Sequence, residues 1–490
     1  MVIGSGKTAI TTIEYLLETS FHRIGDIVVA AGPKRPSIEK KLRPLTNKAQ
    51  GKLKVFFETD DRAPRFSHHY ELCITSPGIS EFSNTIKHAK EACDEMISEV
   101  EFAYREAPKE IKWIAITGTN GKTTTVSLIT HILSQAGKNA VSVGNIGNAC
   151  IHELRDYCLF QGHWANEADR QGPIFVAEVS SFQLALCDKF KPNIAAILNI
   201  TPDHIEWHKS FENYRDAKLK LLQNSKDSSI GIVDCSDPVL NDSLSLIPET
   251  CSFEQLHEDA FEKEEIEFVS NRKHNFGSYD ELLIKGEHNK HNALVAAVVC
   301  MYAGLDDEEI KKGLQTFEPL AHRMEKVTTI DGVTFINDSK ATNVEASLRS
   351  LSAYPSGKTI ALFGGKDKGT DLSELAEKSS HVCKDVICYG EAGLRFYREF
   401  FDFFKEEDLD EDIKSSEFEK SQISKVSGNK ATWEIVKMHM VFTPHLHYKE
   451  TFDEAFQRAV ELSSSGDYVV LSPACASFDE FDAFEQRGEH

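Results

Sequence analysis

A lysine followed by a run of hydroxyls, set in a glycine loop, is the segment of this 490-residue chain with the clearest chemical purpose. The apolar run Trp113 to Thr117 leads into Gly118-Thr119-Asn120-Gly121-Lys122-Thr123-Thr124-Thr125, and a helical pattern from Val126 to Leu133 follows. Strand, glycine loop, lysine, hydroxyl and helix in that order make a phosphate cradle. The glycines let the backbone approach an oxyanion, successive N–H groups and the helix N-terminus face it, and Lys122 adds a mobile positive charge. Thr123 is then placed to ligate the Mg2+ that accompanies ATP. The loop departs from the general GxxxxGK[ST] spacing, because Ile116 stands five before Gly121 and the extra glycine is at 118.

Two further segments carry groups suited to a metal-nucleotide centre. The string Ala177-Glu178-Val179-Ser180-Ser181-Phe182-Gln183-Leu184 ends an apolar strand, so Glu178 reaches the crevice beyond the strand's C-terminal end and reads as a magnesium ligand beside the phosphate loop. Thr201-Pro202-Asp203-His204-Ile205-Glu206-Trp207-His208 follows, with Tyr214-Arg215-Asp216-Ala217-Lys218 on a helix. Singly, a histidine or lysine in such a setting is an ordinary surface group. A lysine that becomes buried can lose its proton, where an arginine cannot.

The TGTNGKTTT form resembles the Mur ligases and their relative folylpolyglutamate synthetase, and the stretch from Thr201 to Lys218 resembles the Mur ligase magnesium segment. Gly144-Asn145-Ile146-Gly147, Gly286 to Asn292 and His322-Arg323-Met324-Glu325 extend the resemblance. So do Asp338-Ser339-Lys340-Ala341-Thr342-Asn343, Ser472-Pro473-Ala474-Cys475-Ala476-Ser477 and Phe484-Glu485-Gln486-Arg487-Gly488, which are similar to the branch of the family that adds D-glutamate. An Asn-Pro-Arg string, expected of a branch that adds a diamino acid, is missing.

The resemblance implies an ATP-dependent ligase that joins D-glutamate to UDP-N-acetylmuramoyl-L-alanine through an acyl phosphate, in peptidoglycan precursor synthesis. It implies a catalytic set of Lys122, Glu178, His204, Lys218 and Lys340, and two Mg2+ ions held by Thr123, Glu178, His204 and Lys218, the last carrying a CO2-derived carbamate. ATP contacts are implied for Gly118, Thr119, Asn120, Gly121, Lys122, Thr123, Thr124, Asn292, Arg323 and Asp338. UDP-sugar contacts are implied for Lys7, Thr8, Ser76, Gly78, Asn145, Ser180 and Gln183. Lys340, Thr342, Lys368, Ser477, Phe478 and Phe484 would surround D-glutamate, whose two carboxylates suit amines and hydroxyls. Two positions depart from the family pattern: Ala30-Ala31-Gly32 stands where a polar uridine contact is common after the second strand, and Phe478 replaces an aliphatic residue. The alternatives are another ligase of the superfamily and, from a different class, a nucleotide sensor without turnover.

The elements that must position these groups alternate. Strand-like runs at Asp26–Ala30, Lys54–Phe57 and Leu72–Thr75 follow a glycine turn, Gly4-Ser5-Gly6, that resembles a nucleotide-binding βαβ start. Runs at Ile174–Glu178, Ile194–Ile200 and a helix at His291–Tyr302 surround the phosphate loop, and runs at Val333–Asn337, Thr359–Phe363, Val386–Tyr389 and Tyr468–Ser472 make a last region. Alternation of this kind predicts doubly wound parallel α/β sheets, in three domains: a Rossmann-like 1–106 for the UDP-sugar, a phosphate-loop domain 107–319 for ATP, and a Rossmann-like 320–490 for the amino acid. The opening inside a first strand suggests that a few residues precede Met1.

With 41% hydrophobic and 27% charged residues the chain can fill real cores, and a net charge of -22 argues against a nucleic-acid partner. No apolar run approaches the ~18 residues of a membrane span, and no export signal opens the chain, so a cytoplasmic monomer acting on small molecules is expected. Eleven scattered cysteines read as inert thiols, Cys475 among them. Six acidic residues between Glu406 and Asp412, with the polar stretch to Asn429, read as a solvated insertion.

Overall fold

The computed structural model describes residues 1–33, 36–58, 66, 68–160, 172–223, 229–247, 251–257, 266–267, 273–284, 286–367, 369–404 and 444–490. Lys368 and the acidic stretch 406–429 lie outside the described residues. The chain is mixed α/β and falls into two compact units, Met1–Glu318 and Pro319–His490.

The first unit contains two parallel sheets. One has the order β3-β2-β1-β4-β5, from β1 (Val2–Ile3), β2 (Ile27–Pro33), β3 (Leu53–Glu58), β4 (Tyr70–Thr75) and β5 (Cys93–Ser98). The other has the order β11-β10-β9-β6-β8-β7, from β6 (Lys112–Thr117), β7 (Ala140–Gly144), β8 (Ile174–Glu178), β9 (Ile194–Ile197), β10 (Ile230–Asp234) and β11 (Phe253–Leu256). A separate antiparallel pair is formed by β12 (Ile266–Glu267) and β13 (Lys273–His274).

Strands β6, β8 and β9 are buried along nearly their whole length, which is why they read as continuous apolar runs rather than alternating ones. The chain leaves β6 toward β7 at one edge and leaves β9 toward β10 at the other. Connections therefore diverge between the neighbours β6 and β9, and a crevice opens beyond their C-terminal ends. One apolar core runs from Tyr15, Ile74 and Val100 through Trp113 and Phe175 to Leu222, so it joins both sheets into one unit. At its centre the Trp113 ring meets Phe175, Phe190 and Tyr104 edge-on at 5.2, 5.8 and 5.8 Å.

Three element boundaries differ from the pattern reading. Strand β9 stops at Ile197 rather than Ile200, because Asn199 turns its amide to the glycine loop. The helix expected from His291 starts at Glu287, where Gly286 takes φ 99°. Residues Ala30-Ala31-Gly32 lie within β2, not after it, since Pro33 still pairs with Glu58 across a register shift.

The second unit has the order β14-β15-β19-β16-β17-β18, from β14 (Glu325–Ile330), β15 (Val333–Asn337), β16 (Thr359–Gly364), β17 (Cys383–Tyr389), β18 (His445–Tyr448) and β19 (Tyr468–Ala474). Only β14, at the edge, runs antiparallel to its neighbour.

Replacing Trp113 by Ala should destabilise the first unit by about 3–5 kcal/mol, the usual cost of an aromatic cavity. Urea unfolding of that variant checks it, and a shift below 1 kcal/mol would show that the core closes over the void.

Candidate active site

The glycine loop sits in the crevice between β6 and β9, and its shape is held by neighbours on three sides. Asn199 accepts the Asn120 N–H at 2.8 Å and donates back to the Asn120 carbonyl at 3.2 Å. Thr119 Oγ1 lies 2.8 Å from the Tyr214 hydroxyl and 3.1 Å from the Thr201 carbonyl, and the Thr201 N–H donates to it at 2.9 Å. Beneath Gly121, at φ 83°, lies Asn292 Oδ1, which a Cβ on Gly121 would meet at 2.3 Å. Asn292 also accepts from Thr125 Oγ1 at 3.3 Å and donates to Asn289. Thr124 is buried with an unpartnered hydroxyl.

Two amines converge on one carbonyl. Lys122 Nζ donates to the Gly118 and Thr119 carbonyls at 2.8 and 2.7 Å, and Lys218 Nζ donates to the same Gly118 carbonyl at 2.7 Å. Lys218 is 2% exposed, with its nitrogen 4.7 Å from the Tyr214 ring centre. Burial first, and then the Lys122 charge, push its pKa well below that of an ordinary lysine, with Asp203 and Glu178 opposing.

Glu178, also 2% exposed, accepts from Thr123 Oγ1 and Asn145 Nδ2, each at 2.8 Å, while its carbonyl takes the Asn145 N–H. The predicted Thr123, Glu178 and Asn145 thus form one linked group at the ends of β7 and β8. Ser180 and Gln183 are occupied with each other in a capping box that starts the next short helix. His204 opens the helix Ile205–His208 from a left-handed backbone position, 3.4 Å from Asp203 and with its ring 4.7 Å from that of Phe182. His208, which faces Ser181 Oγ at 2.9 Å, is held near pKa 4 by burial and by the charges of His204 and Lys218. His208 and Asp203 are therefore the common neighbours of His204 and Lys218.

On the first sheet, Gly6 caps the helix Lys7–Thr19, and Lys7 Nζ reaches the Gly147 carbonyl at 3.1 Å and Asn148 at 3.3 Å. The Thr8 carbonyl is taken up within its helix by Thr12. Ser76 Oγ is buried without a hydrogen-bond partner, against Gly4, and Gly78 follows in an open turn. Two residues on, Ser80 Oγ donates to the Trp207 carbonyl at 2.8 Å, which ties this turn to the His204 helix.

In the second unit, of the residues expected around D-glutamate, Lys340 and Phe484 are brought together. Asp338, 5% exposed, accepts from the Met324 N–H, and burial raises its pKa to about 6 against the opposing charge of Arg323. Lys340 Nζ lies 4.5 Å above the Phe484 ring. The Thr342 N–H turns back to the Lys340 carbonyl. Ser477 is buried, whereas Phe478 is 68% exposed.

The sequence reading missed three supporting residues. Asn199, Tyr214 and Arg487 act through partners 79, 95 and 148 positions away; Asn199 fell inside an expected strand, and Tyr214 and Arg487 stood in the resemblance strings without a role of their own. Among the described residues no three His, Cys, Asp or Glu side chains gather as a metal cage.

A glycine-loop α/β unit followed by a second α/β unit with its own polar cluster defines a nucleotide-handling class. Residues 116–300 match the Mur ligase middle domain, and residues 322–475 match the Mur ligase glutamate ligase domain. A UDP-N-acetylmuramoylalanine–D-glutamate ligase of Thermoanaerobacter pseudethanolicus is 32% identical over 442 residues, covering 89% of this chain and 86% of that one. Its counterpart from Alkaliphilus oremlandii is 31% identical over 496 residues, covering 100% and 96%. In fold, the crystal structure of MurF from Acinetobacter baumannii covers 96% of this chain and 93% of its own, with a TM-score of 0.55 at 15% identity. The chain belongs to the Mur ligase family.

A methyl at 121 strains a left-handed position and strikes Asn292, so Gly121→Ala should weaken nucleotide binding by roughly tenfold or more. Calorimetric titration with ATP checks this, and an unchanged affinity would show that the loop adjusts freely.

Proposed function

We propose that the chain joins D-glutamate to UDP-N-acetylmuramoyl-L-alanine, with ATP cleaved to ADP and phosphate. The observation that carries this reading is the convergence of Lys122 and the buried Lys218 on the Gly118 carbonyl, beside Glu178 and Thr123. The names of relatives 31–32% identical over most of the chain supply the substrates. Residues 1–106 are assigned to the UDP-sugar, 107–319 to ATP and 320–490 to the amino acid. A cytoplasmic monomer suits these soluble small-molecule substrates.

The loop fits a polyphosphate. Gly118 and Gly121 leave the backbone bare, and Lys122, now folded onto its own loop, can extend its ammonium to phosphoryl oxygens. Thr123, Glu178, His204 and Lys218 would hold two Mg2+ ions, which neutralise charge on the transferred phosphoryl group when bound. With no protein-only cage among the described residues, phosphate oxygens and water would have to complete the coordination. Lys218 suits a CO2-derived carbamate, because its burial keeps a neutral amine accessible for attack on CO2. The carbamate would put an anion beside Lys122, where a protonated Lys218 would be repelled.

The alanyl carboxylate attacks the γ-phosphorus of ATP, the bond to ADP breaks, and an acyl phosphate forms. The free amine of D-glutamate then attacks the acyl carbon, the amide forms, phosphate leaves with the C–O bond electrons, and the amine proton is released. Asn292, Arg323 and Asp338 serve the nucleotide. At the other end, the N-terminus of the helix Lys7–Thr19, Lys7, Thr8, the unpartnered Ser76 hydroxyl and the open Gly78 turn receive the UDP group. Asn145, Ser180 and Gln183 line the sugar's approach. Lys340, Thr342, Lys368, Ser477, Phe478 and Phe484 receive D-glutamate.

Incubation with ATP, Mg2+, D-glutamate and the UDP-sugar should give a product heavier by one glutamyl residue, read by mass spectrometry. Lys218→Arg, which keeps the charge but cannot carry a carbamate, should lower kcat by about a hundredfold or more. Wild-type turnover by that variant would remove Lys218 from the reaction.

A further inference from the structure

Arg487 is 1% exposed; its charge acts on the Glu480 carboxylate, but none of the hydrogen bonds of its guanidinium goes to a carboxylate. Its donors go to neutral oxygens instead. Nε donates to Ser339 Oγ at 2.9 Å, and Nη2 donates to the Ser339 carbonyl at 2.8 Å and the Cys475 carbonyl at 3.2 Å. Nη1 lies 3.4 Å from the Ala476 carbonyl. The fork therefore fastens three segments: the stretch that carries Lys340 and Thr342, the turn that carries Ser477, and the C-terminal helix Phe484–Glu489 on which it stands. Ser339 Oγ closes the ring by donating to the Phe484 carbonyl at 2.8 Å. Nothing larger than hydrogen fits at Gly365, where a Cβ would meet the Ala476 carbonyl at 2.2 Å and Arg487 Nη1 at 3.0 Å.

A buried guanidinium has donors in fixed directions, so one that spends them on main-chain carbonyls and a hydroxyl fixes the segments that supply those oxygens. The groups it organises are those on which a small dicarboxylate would rest, among them the Lys340 ammonium above the Phe484 ring. We infer that Arg487 is a positioning residue for the amino-acid substrate: its fork sets the spacing of the segments that carry Lys340, Thr342, Ser477 and Phe484. The inference rests on the D-glutamate reading above and deepens it, because it assigns the binding of that amino acid to a residue that need not touch it. A lysine at 487 would keep the charge but lose the fork, and a methionine would lose both.

The test is steady-state kinetics of the full chain as wild type, Arg487→Lys, Arg487→Met and Ser339→Ala, with ADP release followed as D-glutamate, ATP and UDP-sugar are varied in turn. In Arg487→Met the KM for D-glutamate should rise about tenfold, as the loss of charge-assisted hydrogen bonds implies, while the KM for ATP stays within twofold. Arg487→Lys should fall between wild type and Arg487→Met, the partial rescue that a merely space-filling role would not give. An unchanged KM for D-glutamate in Arg487→Met overturns the inference, as does a rise shared equally with ATP. If Arg487→Met gives no cooperative thermal transition, Ser339→Ala decides: it removes the hydroxyl between Nε and the Phe484 carbonyl, and an unaltered KM for D-glutamate in it counts against the proposal. A wild type that releases no ADP with D-glutamate overturns the ligase reading itself, an outcome distinct from an active wild type whose variants are unaffected.

Discussion

The Gly118 carbonyl oxygen accepts from two lysines, and the polar centre of the first unit is arranged around the difficulty this creates. Two ammonium groups on one acceptor repel each other, and the repulsion grows where water is excluded. Lys218 lies in such a place, so its pKa is pushed well below that of an ordinary lysine. The surrounding design follows from that pressure. Glu178 and Asp203 supply negative charge, the Tyr214 ring covers the nitrogen, and the Tyr214 hydroxyl reaches Thr119 on the opposite wall of the loop. A single buried tyrosine thus braces the phosphate loop with its oxygen and screens the amine with its face.

The second unit solves a related problem differently. Its buried guanidinium spends its fork on the Ser339 and Cys475 carbonyls, with the Glu480 carboxylate acting on its charge. Asp338 shows the reverse arrangement on the same sheet: a carboxyl buried beside Arg323, with its pKa raised to about 6.

Much of this was legible from the amino acids because the relevant chemistry is local in sequence. The Gly118–Thr125 string sits between a buried strand and a helix, and Glu178 ends an uninterrupted apolar strand, so pattern alone placed them at one sheet edge. What stayed hidden depends on distant pairs. Asn199 looked like the continuation of β9 because the asparagine that ends the strand is followed by another apolar residue, Ile200. Asn292 could be given a ligand-facing role from its motif, yet its contacts below Gly121 come from a helix that periodicity started four residues too late. Arg487 stood in the Phe484–Gly488 string without a role of its own, and only the structure shows the carbonyls that hold it inside.

The four-residue helix Ile205–His208 is bracketed by His204 and Lys209, both in the left-handed region at φ 53° and 69°, and neither is glycine. Each such residue carries roughly 1–2 kcal/mol of steric cost. A side chain at both ends forbids most of the other conformations that glycine would sample, so the imidazole is aimed by the main chain rather than by its own rotamer. Relaxing Lys209 to glycine would ease the fold while loosening that aim. Backbone ease and a fixed imidazole direction therefore pull in opposite directions at this turn.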